Sequence, residues 1–322
     1  MKYSQTIILL MIYLSCYSQE INWVKCFNGD NSKIRGITIG QEYKVITTGT
    51  YSGIVYFSDS ISFNTTNIST KNIHITKFDS IGTVEWVYST SSGYIGGNID
   101  SYIIETDADQ NIYISGCIYK NLYFDTILLS ANMGNGQIFI AKLNKTGSLL
   151  WAKALGGPTN GAGIANIVIT PSQRMFLCGS ILNTTTFDNY TFYSTGACDF
   201  YISEFTLNGN CLNFFNDGNY YCGLKGCIIV GNSVFVDVPY ATWASIGGDT
   251  VFSVGYSDYF IAEYSPLGTV QWIRNVTGIS NNESKMEVMN GRIYLNGLFQ
   301  DVIHFENDSL AASGTYGFYI AE

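Results

Sequence analysis

One spacing constrains this chain more than any other feature. A short β-type run ends in a glycine, and an aromatic follows eight positions later. Asn111–Tyr123, NIYISGCIYKNLY, shows it with Gly116 and Phe124. Gly49 and Phe57, Gly179 and Phe187, and Gly297 and Phe305 repeat it, and Val238 and Ile246 hold the two places in a degenerate copy. Two further markers travel with it in the same order. One is Ile75-Thr76-Lys77-Phe78, which returns as Ile140-Ala141-Lys142-Leu143, Ile202-Ser203-Glu204-Phe205, Ile261-Ala262-Glu263-Tyr264 and Ile320-Ala321-Glu322. The other is a tryptophan four residues after a turn glycine: Trp86 after Gly82, Trp151 after Gly147 and Trp272 after Gly268. Trp23 is its first copy, and Asn213 stands where the fourth should be. The second marker recurs at intervals of 65, 62, 59 and 59 residues. A period near 60 with only strand signals points to propeller blades of about four strands each.

The markers sort each repeat into four strands. Strand A carries Ile-x-Lys/Glu and ends in a tight turn such as Asn144-Lys145-Thr146-Gly147, where a terminal glycine takes positive φ cheaply. Strand B holds the tryptophan, and strand C is an apolar run such as Ile167–Ile169. A second tight turn, for example Asn290-Gly291, leads to strand D, which closes on the repeated glycine. Short turns are expected at A–B and C–D. The longer D-to-A link, with its phenylalanine plugging the gap between blades, is expected to carry the chain onward. The first strand, Asn22–Cys26, is a B and the last, Phe318–Glu322, is an A. The expectation is therefore all-β: a single propeller of five four-stranded blades over residues 19–322, closed by pairing of the N- and C-terminal strands. Such closure removes free sheet edges. A fragment of a larger ring is the rival.

Composition narrows the partners. Charged residues make up 13% of the chain, about half the usual share of roughly 25%, and the net charge is −9. An acidic chain of this kind argues against nucleic acid, which needs a basic face. Lys2, the apolar run Ile7–Leu14 and Cys16-Tyr17-Ser18 read as an export signal over residues 1–18. The run is too short to span a bilayer, and no later stretch is long enough. Leu14-Ser15-Cys16 partly resembles a lipoprotein box, with Tyr13 a poor fit, so simple cleavage and a secreted, periplasmic or cell-surface location are expected over lipidation at Cys16. Cys198, Cys211, Cys222 and Cys227 crowd together, and one or two disulfides among them are expected in an exported chain. Buried free thiols are the other reading. Eight Asn-x-Ser/Thr sequons occur, including Asn64, Asn183 and Asn275; they are glycan sites only in a eukaryotic host.

YISG at Tyr113–Gly116, FIAKLNKTGSLLWAKALGG at Phe139–Gly157 and DFYISEF at Asp199–Phe205 resemble the units of the bacterial β-propeller repeat family. The resemblance covers about residues 20–322, is best in the second and third repeats, and weakens at Asn213, Val238 and Ile246. It implies an exported propeller and carries no common catalytic residues.

The chain offers little chemistry of its own. His74 fills a column otherwise held by Phe139, Tyr201, Phe260 and Tyr319, which makes it a core ring; His304 precedes Phe305 and reads as structural or exposed. No Ser-His-Asp or Cys-His arrangement is supported. Asp107, Asp109 and Asn111 match the first ligands of a calcium loop, but Ile112 and Ile118 stand where the loop's Gly and Glu belong, so the stretch reads as a C–D turn. No metal or cofactor is expected. Cys222 and Cys227 are five apart with no histidine near, a poor zinc pattern. Two weak candidates remain for binding. Asp237 replaces Thr48, Ser115, Cys178 and Asn296 in its column. The column Lys77, Lys142, Glu204, Glu263 and Glu322 sets one charge per blade at one height, either as solvated strand ends or as a ring at a channel mouth. The expected function is a non-catalytic module that binds a glycan or protein. The alternatives are a propeller glycosidase or lyase, which needs carboxylates from several blades, and a spacer.

Overall fold

The computed structural model describes residues 23–29, 31–65, 67–92, 99–131, 136–156, 163–194, 198–218, 224, 226–254, 258–278, 284–289, 291–305 and 308–322. Residues 1–18, expected to be an export signal, and Cys16 among them lie outside these residues, as does Cys222. The described chain is all-β. After β1 (Asn28–Gly29) come five units of one plan. The first is β2 (Lys33–Ile39), β3 (Val45–Tyr51), β4 (Ile54–Tyr56), β5 (Ser62–Asn64), β6 (Asn72–Phe78) and β7 (Val84–Ser89). The second is β8 (Ile99–Thr106), β9 (Ile112–Ile118), β10 (Leu122–Phe124), β11 (Ile127–Leu129), β12 (Gln137–Leu143) and β13 (Leu149–Leu155). The third is β14 (Gly163–Ile169), β15 (Met175–Ile181), β16 (Thr184–Phe187), β17 (Tyr190–Tyr193), β18 (Asp199–Phe205) and β19 (Cys211–Asp217). The fourth is β20 (Gly226–Val230), β21 (Ser233–Tyr240), β22 (Trp243–Ile246), β23 (Asp249–Phe252), β24 (Asp258–Tyr264) and β25 (Val270–Thr277). The fifth is β26 (Ser284–Met289), β27 (Arg292–Phe299), β28 (Val302–Phe305), β29 (Asp308–Ala311) and β30 (Gly317–Ala321).

Units 1 to 4 each form an antiparallel sheet in the order C-D-A-B: β2-β3-β6-β7, β8-β9-β12-β13, β14-β15-β18-β19 and β20-β21-β24-β25. The fifth, β26-β27-β30, has three strands among the described residues. The C strands face one another in succession, β2 on β8, β8 on β14, β14 on β20 and β20 on β26, so they form the inner edge. No comparable contact joins β26 to β2 among the described residues.

The sheet order corrects one expectation. D and A are neighbours in one sheet, and the link between them folds back as a small hairpin, β4–β5 in the first unit and β28–β29 in the last. The step to the next unit is taken by the B-to-C link instead. D and A must pair to complete a ladder, so the link has to return beside its origin. The phenylalanine on it does plug the junction: Phe124 is fully buried and stacks on Tyr88 of the preceding sheet at 6.2 Å. The hairpin also grips that sheet. Tyr123 bridges Ser91, Thr186 accepts from Gly156, Ser245 accepts from Gly218, and β28 pairs with the end of β25. Asn28–Gly29 pairs with Tyr56 and Val55 in the same manner. Among the described residues β30 pairs with β27, and the expected pairing of the first B with the last A is not seen.

The repeated glycine has a local cause. In β3 it lies opposite His74, and a Cβ at Gly49 would sit 1.9 Å from the Lys33 carbonyl and 2.8 Å from the His74 ring. Gly179 repeats this against the Gly163 carbonyl at 2.0 Å and Tyr201 at 2.8 Å. The carbonyl is pushed in by a β-bulge in the C strand, between Ile34 and Gly36 or between Ile164 and Asn166. In unit 4 the C strand is described from Gly226, opposite Asp237, and the glycine column holds Val238, fully buried and paired with Phe260 in an intact sheet. Apolar cores fill each of the four junctions; the second, for example, joins Tyr113, Ile138 and Ile140 to Ile167 and Leu177.

Candidate functional site

Lys77, Lys142, Glu204 and Glu263 sit on the A strands, third from the inner edge and beside the outer strand; Glu322 directly follows β30. Each is taken up by contacts at the outer side of the sheets. Lys77 donates to the Lys145 carbonyl of the next unit at 3.0 Å and lies 3.7 Å from Glu85; burial lowers its pKa. Lys142 donates to the Leu207 carbonyl at 3.3 Å, pairs with Asp107 at 3.5 Å and lies 4.9 Å from the Tyr113 ring centre. Glu204 accepts from Arg174 Nε at 2.6 Å. Glu263 accepts from Ser233 and from Trp272 Nε1, each at 2.5 Å. Glu322 pairs with Arg292 at the half-exposed end of the last sheet.

The Lys77 and Lys142 contacts belong to a clasp that the sequence pattern did not reveal. The A–B turn glycines Gly82, Gly147, Gly209 and Gly268 have φ of +80 to +85, and each is covered by a ring, from the segment before β1 for Gly82 and from the preceding outer strand for the others. The rings are Trp23, Trp86, Trp151 and Phe215, and a Cβ on any of these glycines would lie 2.5 to 3.0 Å from them. The carbonyl two residues before the glycine is the second half of the clasp. Trp23 Nε1 donates to Ser80 at 3.2 Å and Trp86 Nε1 to Lys145 at 3.3 Å. At the fourth turn Asn213 Nδ2 donates to Pro266 at 3.2 Å. Asn213 thus keeps the hydrogen bond of the missing tryptophan, while Phe215 supplies its ring.

Asp237 is fully buried in β21 and paired in register with Gly226 and Ile261. Near it the hydroxyls of Tyr259 and Tyr319 lie 2.5 Å apart across the fourth junction. Burial first, and then the Asp237 charge, push the Tyr319 hydroxyl up to about 12. Among the described residues no three His, Cys, Asp or Glu side chains gather closely enough to hold a metal ion.

His74 is a core ring as expected, 5.0 Å from Phe57, and burial lowers its pKa to about 4 against a smaller opposing effect of its backbone contact with Lys33. His304 is exposed on β28. Asp107–Asn111 closes the C–D turn: Asp107 accepts from the Asn111 backbone at 2.8 Å and its side chain at 2.9 Å. Burial would raise the Asp107 carboxyl, but those bonds and those from Tyr113 and Lys142 hold it below the usual range.

The cysteines correct the sequence reading. Cys227 is bonded to Cys178, and Cys198 and Cys211 are free thiols. Sequence crowding misled because neighbours in the chain lie on separate strands. Cys178 on β15 faces Cys227 on β20 across the third junction, with Cα atoms 6.4 Å apart. The first residue of the A strand in units 1 to 4, Asn72, Gln137, Asp199 and Asp258, is a further polar column that the sequence did not announce. Asn72 accepts from Ser92 at 2.9 Å and Asp258 from Gly278 at 2.8 Å, so this column holds the B-to-C links.

A groove with a volume of about 320 Å³ lies between Trp272 and Arg274 of β25 and the end of β30. In units 1 to 4 the space beyond the A strand is filled by the outer strand.

No family model matches the chain, and no curated protein does. Solved structures to which it is similar include a protein of unknown function from Bacteroides caccae, at 8% identity over 76% of this chain and 82% of that one, with a TM-score of 0.29. Another is a GH43 β-xylosidase/α-arabinofuranosidase from a compost metagenome, at 10% identity over 83% and 85%, with a TM-score of 0.34. A virginiamycin B lyase from Staphylococcus aureus matches at 12% identity over 70% and 97%, with a TM-score of 0.20. Among the described residues no helix is long and apolar enough to cross a membrane.

Proposed function

We propose that this chain is an exported, five-bladed β-propeller of the bacterial repeat type that binds a glycan or a protein without turning it over. The observation that carries the reading is the hairpin set. Each of the five hairpins displays an exposed large apolar side chain on the face away from its buried column: Tyr56, Leu128, Tyr193, Phe252 and Val302. An array that repeats such residues is suited to a ligand presented over several blades, and aromatic rings such as Tyr193 and Phe252 suit sugar faces and protein surfaces alike. The charged candidates support the same reading from the other direction, since Lys77 and Lys142 are engaged in contacts with the next unit and Glu263 in contacts within its own sheet.

The test is a glycan-array screen of residues 19–322, with product analysis of each bound sugar, on the wild type and on the double variant Tyr193→Ala/Phe252→Ala. Binding without new products, weakened at least tenfold in the variant, is the expected result. Release of shorter sugars would overturn it and make Asp237→Asn the next protein to assay. Silence on every sugar, together with no capture of a protein from the host's surface fraction, would leave a spacer.

A further inference from the structure

In the first three units the D-to-A hairpin is packed down on its own outer strand by a pair of large side chains. In unit 1 these are Ile61 and Phe63, in one apolar cluster with Val87. In unit 2 they are Ile127 and Leu129, clustered with Ala152 and Ala154. In unit 3 they are Tyr190 and Phe192. Phe192 stacks on Phe214 at 3.8 Å, and the Tyr190 hydroxyl donates to the Leu212 carbonyl at 2.5 Å. Register puts Asp249 and Val251 in the same two positions of unit 4. They stand opposite Ile246 and Ala244, as Tyr190 and Phe192 stand opposite Phe187 and Thr185. The outer-strand residue below them is Ile273, the counterpart of Phe214. A carboxylate and a valine thus replace two rings, and the space that the rings would take is open. It is a groove of about 460 Å³ lined by Asp249, Val251, Ile273, Asn275, Thr277 and, from the hairpin of the next unit, His304.

The walls of this groove are fixed. Gly247 donates to Asp217 Oδ2 of unit 3 at 2.7 Å, and the Tyr240 hydroxyl lies 3.2 Å from the Phe252 carbonyl, so the hairpin is tied at both ends. The same hydroxyl lies 2.7 Å from Asn275 Oδ1, which holds that amide in one orientation and makes Nδ2 its donor on the groove. Pairing of His304 with Thr277 sets the imidazole at the groove's end. We infer that the groove binds one neutral sugar residue, a pyranose with vicinal hydroxyls turned toward Asp249 and Asn275. The inference rests on the glycan reading above and assigns it to one blade. A sugar hydroxyl both donates and accepts, so it needs acceptors and donors side by side. The Asp249 carboxylate only accepts, Asn275 Nδ2 only donates, and the Thr277 hydroxyl and neutral His304 ring do both. A ligand cation would call for acceptors alone, and an anion would meet the Asp249 charge. Val251 and Ile273, both packed on the core of the third junction, give the C–H face of the ring an apolar floor. The volume lies toward the small end of ligand sites, which run from roughly 300 to 1,000 Å³, and suits a single ring.

The experiment uses residues 19–322 and the methyl pyranosides of glucose, galactose, mannose and fucose as probes, read by saturation-transfer NMR and calorimetry. Two variants divide the causes. Asp249→Tyr/Val251→Phe refills the groove with the rings of unit 3, and Asp249→Asn keeps its shape but removes the carboxylate. At least one probe is expected to bind the wild type. Its affinity is expected to fall about tenfold or more in Asp249→Asn, through loss of a charged acceptor, and its transfer signal to vanish in the refilled variant. Asp249 is exposed, so the Asn variant keeps the test valid if the refilled one misfolds. Binding undiminished in Asp249→Asn or in a folded refilled variant overturns the inference, and so does the absence of binding by every probe. Its failure is distinct from that of the broader reading. Array glycans retained by the refilled variant but lost in Tyr193→Ala/Phe252→Ala would move the sugar to another surface and sink the groove alone. No glycan bound at all would end both.

Discussion

Units 3 and 4 obey the same plan with opposite local chemistry. Unit 3 has Gly179, a bulged inner strand and a ring, Tyr201, lying over the glycine. Unit 4 has Val238 with Phe260 in the ring position, and its inner strand is described from Gly226 onward. Both units order their strands C-D-A-B and both bury their D strands. The difference teaches what the repeated glycine is for. In unit 3 it makes room for a carbonyl thrust inward by the bulge, whereas in unit 4 the same column holds a fully buried valine in an intact D–A ladder. A missing glycine is therefore no sign of a failing sheet.

Breaking that match gives the largest effect. Gly179→Val places methyl groups against the Gly163 backbone, where even a Cβ would be 2.0 Å from oxygen, and backbone cannot rotate away as a side chain can. A loss of about 5 kcal/mol or more is expected, read as a collapse of the denaturant midpoint or of soluble yield. Val238→Gly in unit 4 removes a buried side chain without strain and is expected to cost about 2 to 3 kcal/mol. Equal costs at the two positions would show that the bulge is not the cause.

The same two units are joined by Cys178–Cys227, which closes a sequence separation of 49 residues. In the chain-entropy account its removal in Cys178→Ala/Cys227→Ala costs about 4 kcal/mol. The midpoint of thermal unfolding is expected to fall by well over 5 °C, and dithiothreitol is expected to reproduce the shift in the wild type but not in the variant. Failure of the reductant to act on unfolded wild type would mean that no bridge forms.

How much of this was legible in the sequence depends on range. Gly116 and Phe124, the Ile-x-Lys/Glu markers and the tryptophans are read within one repeat, and they gave the strand types, the tight turns and the buried His74. Relations between sheets were not legible. Nothing near Cys227 in the chain points to Cys178, and nothing in the Lys77 column says that its ammonium reaches a turn carbonyl 68 residues on. The D-to-A link was misassigned because its length suggested a crossover, whereas the actual crossover is marked only by loss of pattern. Charge in a repeated column suggested solvated strand ends or a ring at a mouth; the contacts that Lys77 and Lys142 make with the next unit were not legible from either.

His74 offers a milder way to separate the units, since the equivalent rings elsewhere do not titrate near neutrality. Its pKa falls from 6.5 to about 4 on folding, so the unfolded chain binds the proton more tightly. Stability is then full above pH 6.5 and declines as pH falls toward 4, by about 3 kcal/mol at most. His74→Phe, the ring present in units 2 and 4, is expected to remove that part of the slope. A pH profile unchanged by the substitution would place the acid sensitivity elsewhere.

The smallest effect tests whether the clasp is one device or two. At the fourth turn the hydrogen bond comes from Asn213 and the ring from Phe215, whereas Trp86 supplies both at the second. If the two functions are separable, Asn213→Ala loses a half-buried hydrogen bond and costs about 1 kcal/mol. Phe215→Ala uncovers Gly268 and is expected to cost about 3 kcal/mol, and the double variant should show the sum within about 0.5 kcal/mol if the parts are independent. Trp86→Phe keeps a ring over Gly147 and removes only the donor, so it should resemble Asn213→Ala and not Phe215→Ala. A Trp86→Phe cost near 3 kcal/mol would show that at the second turn ring and donor act as one unit, and that the fourth turn is a weaker imitation rather than the same clasp divided between two side chains.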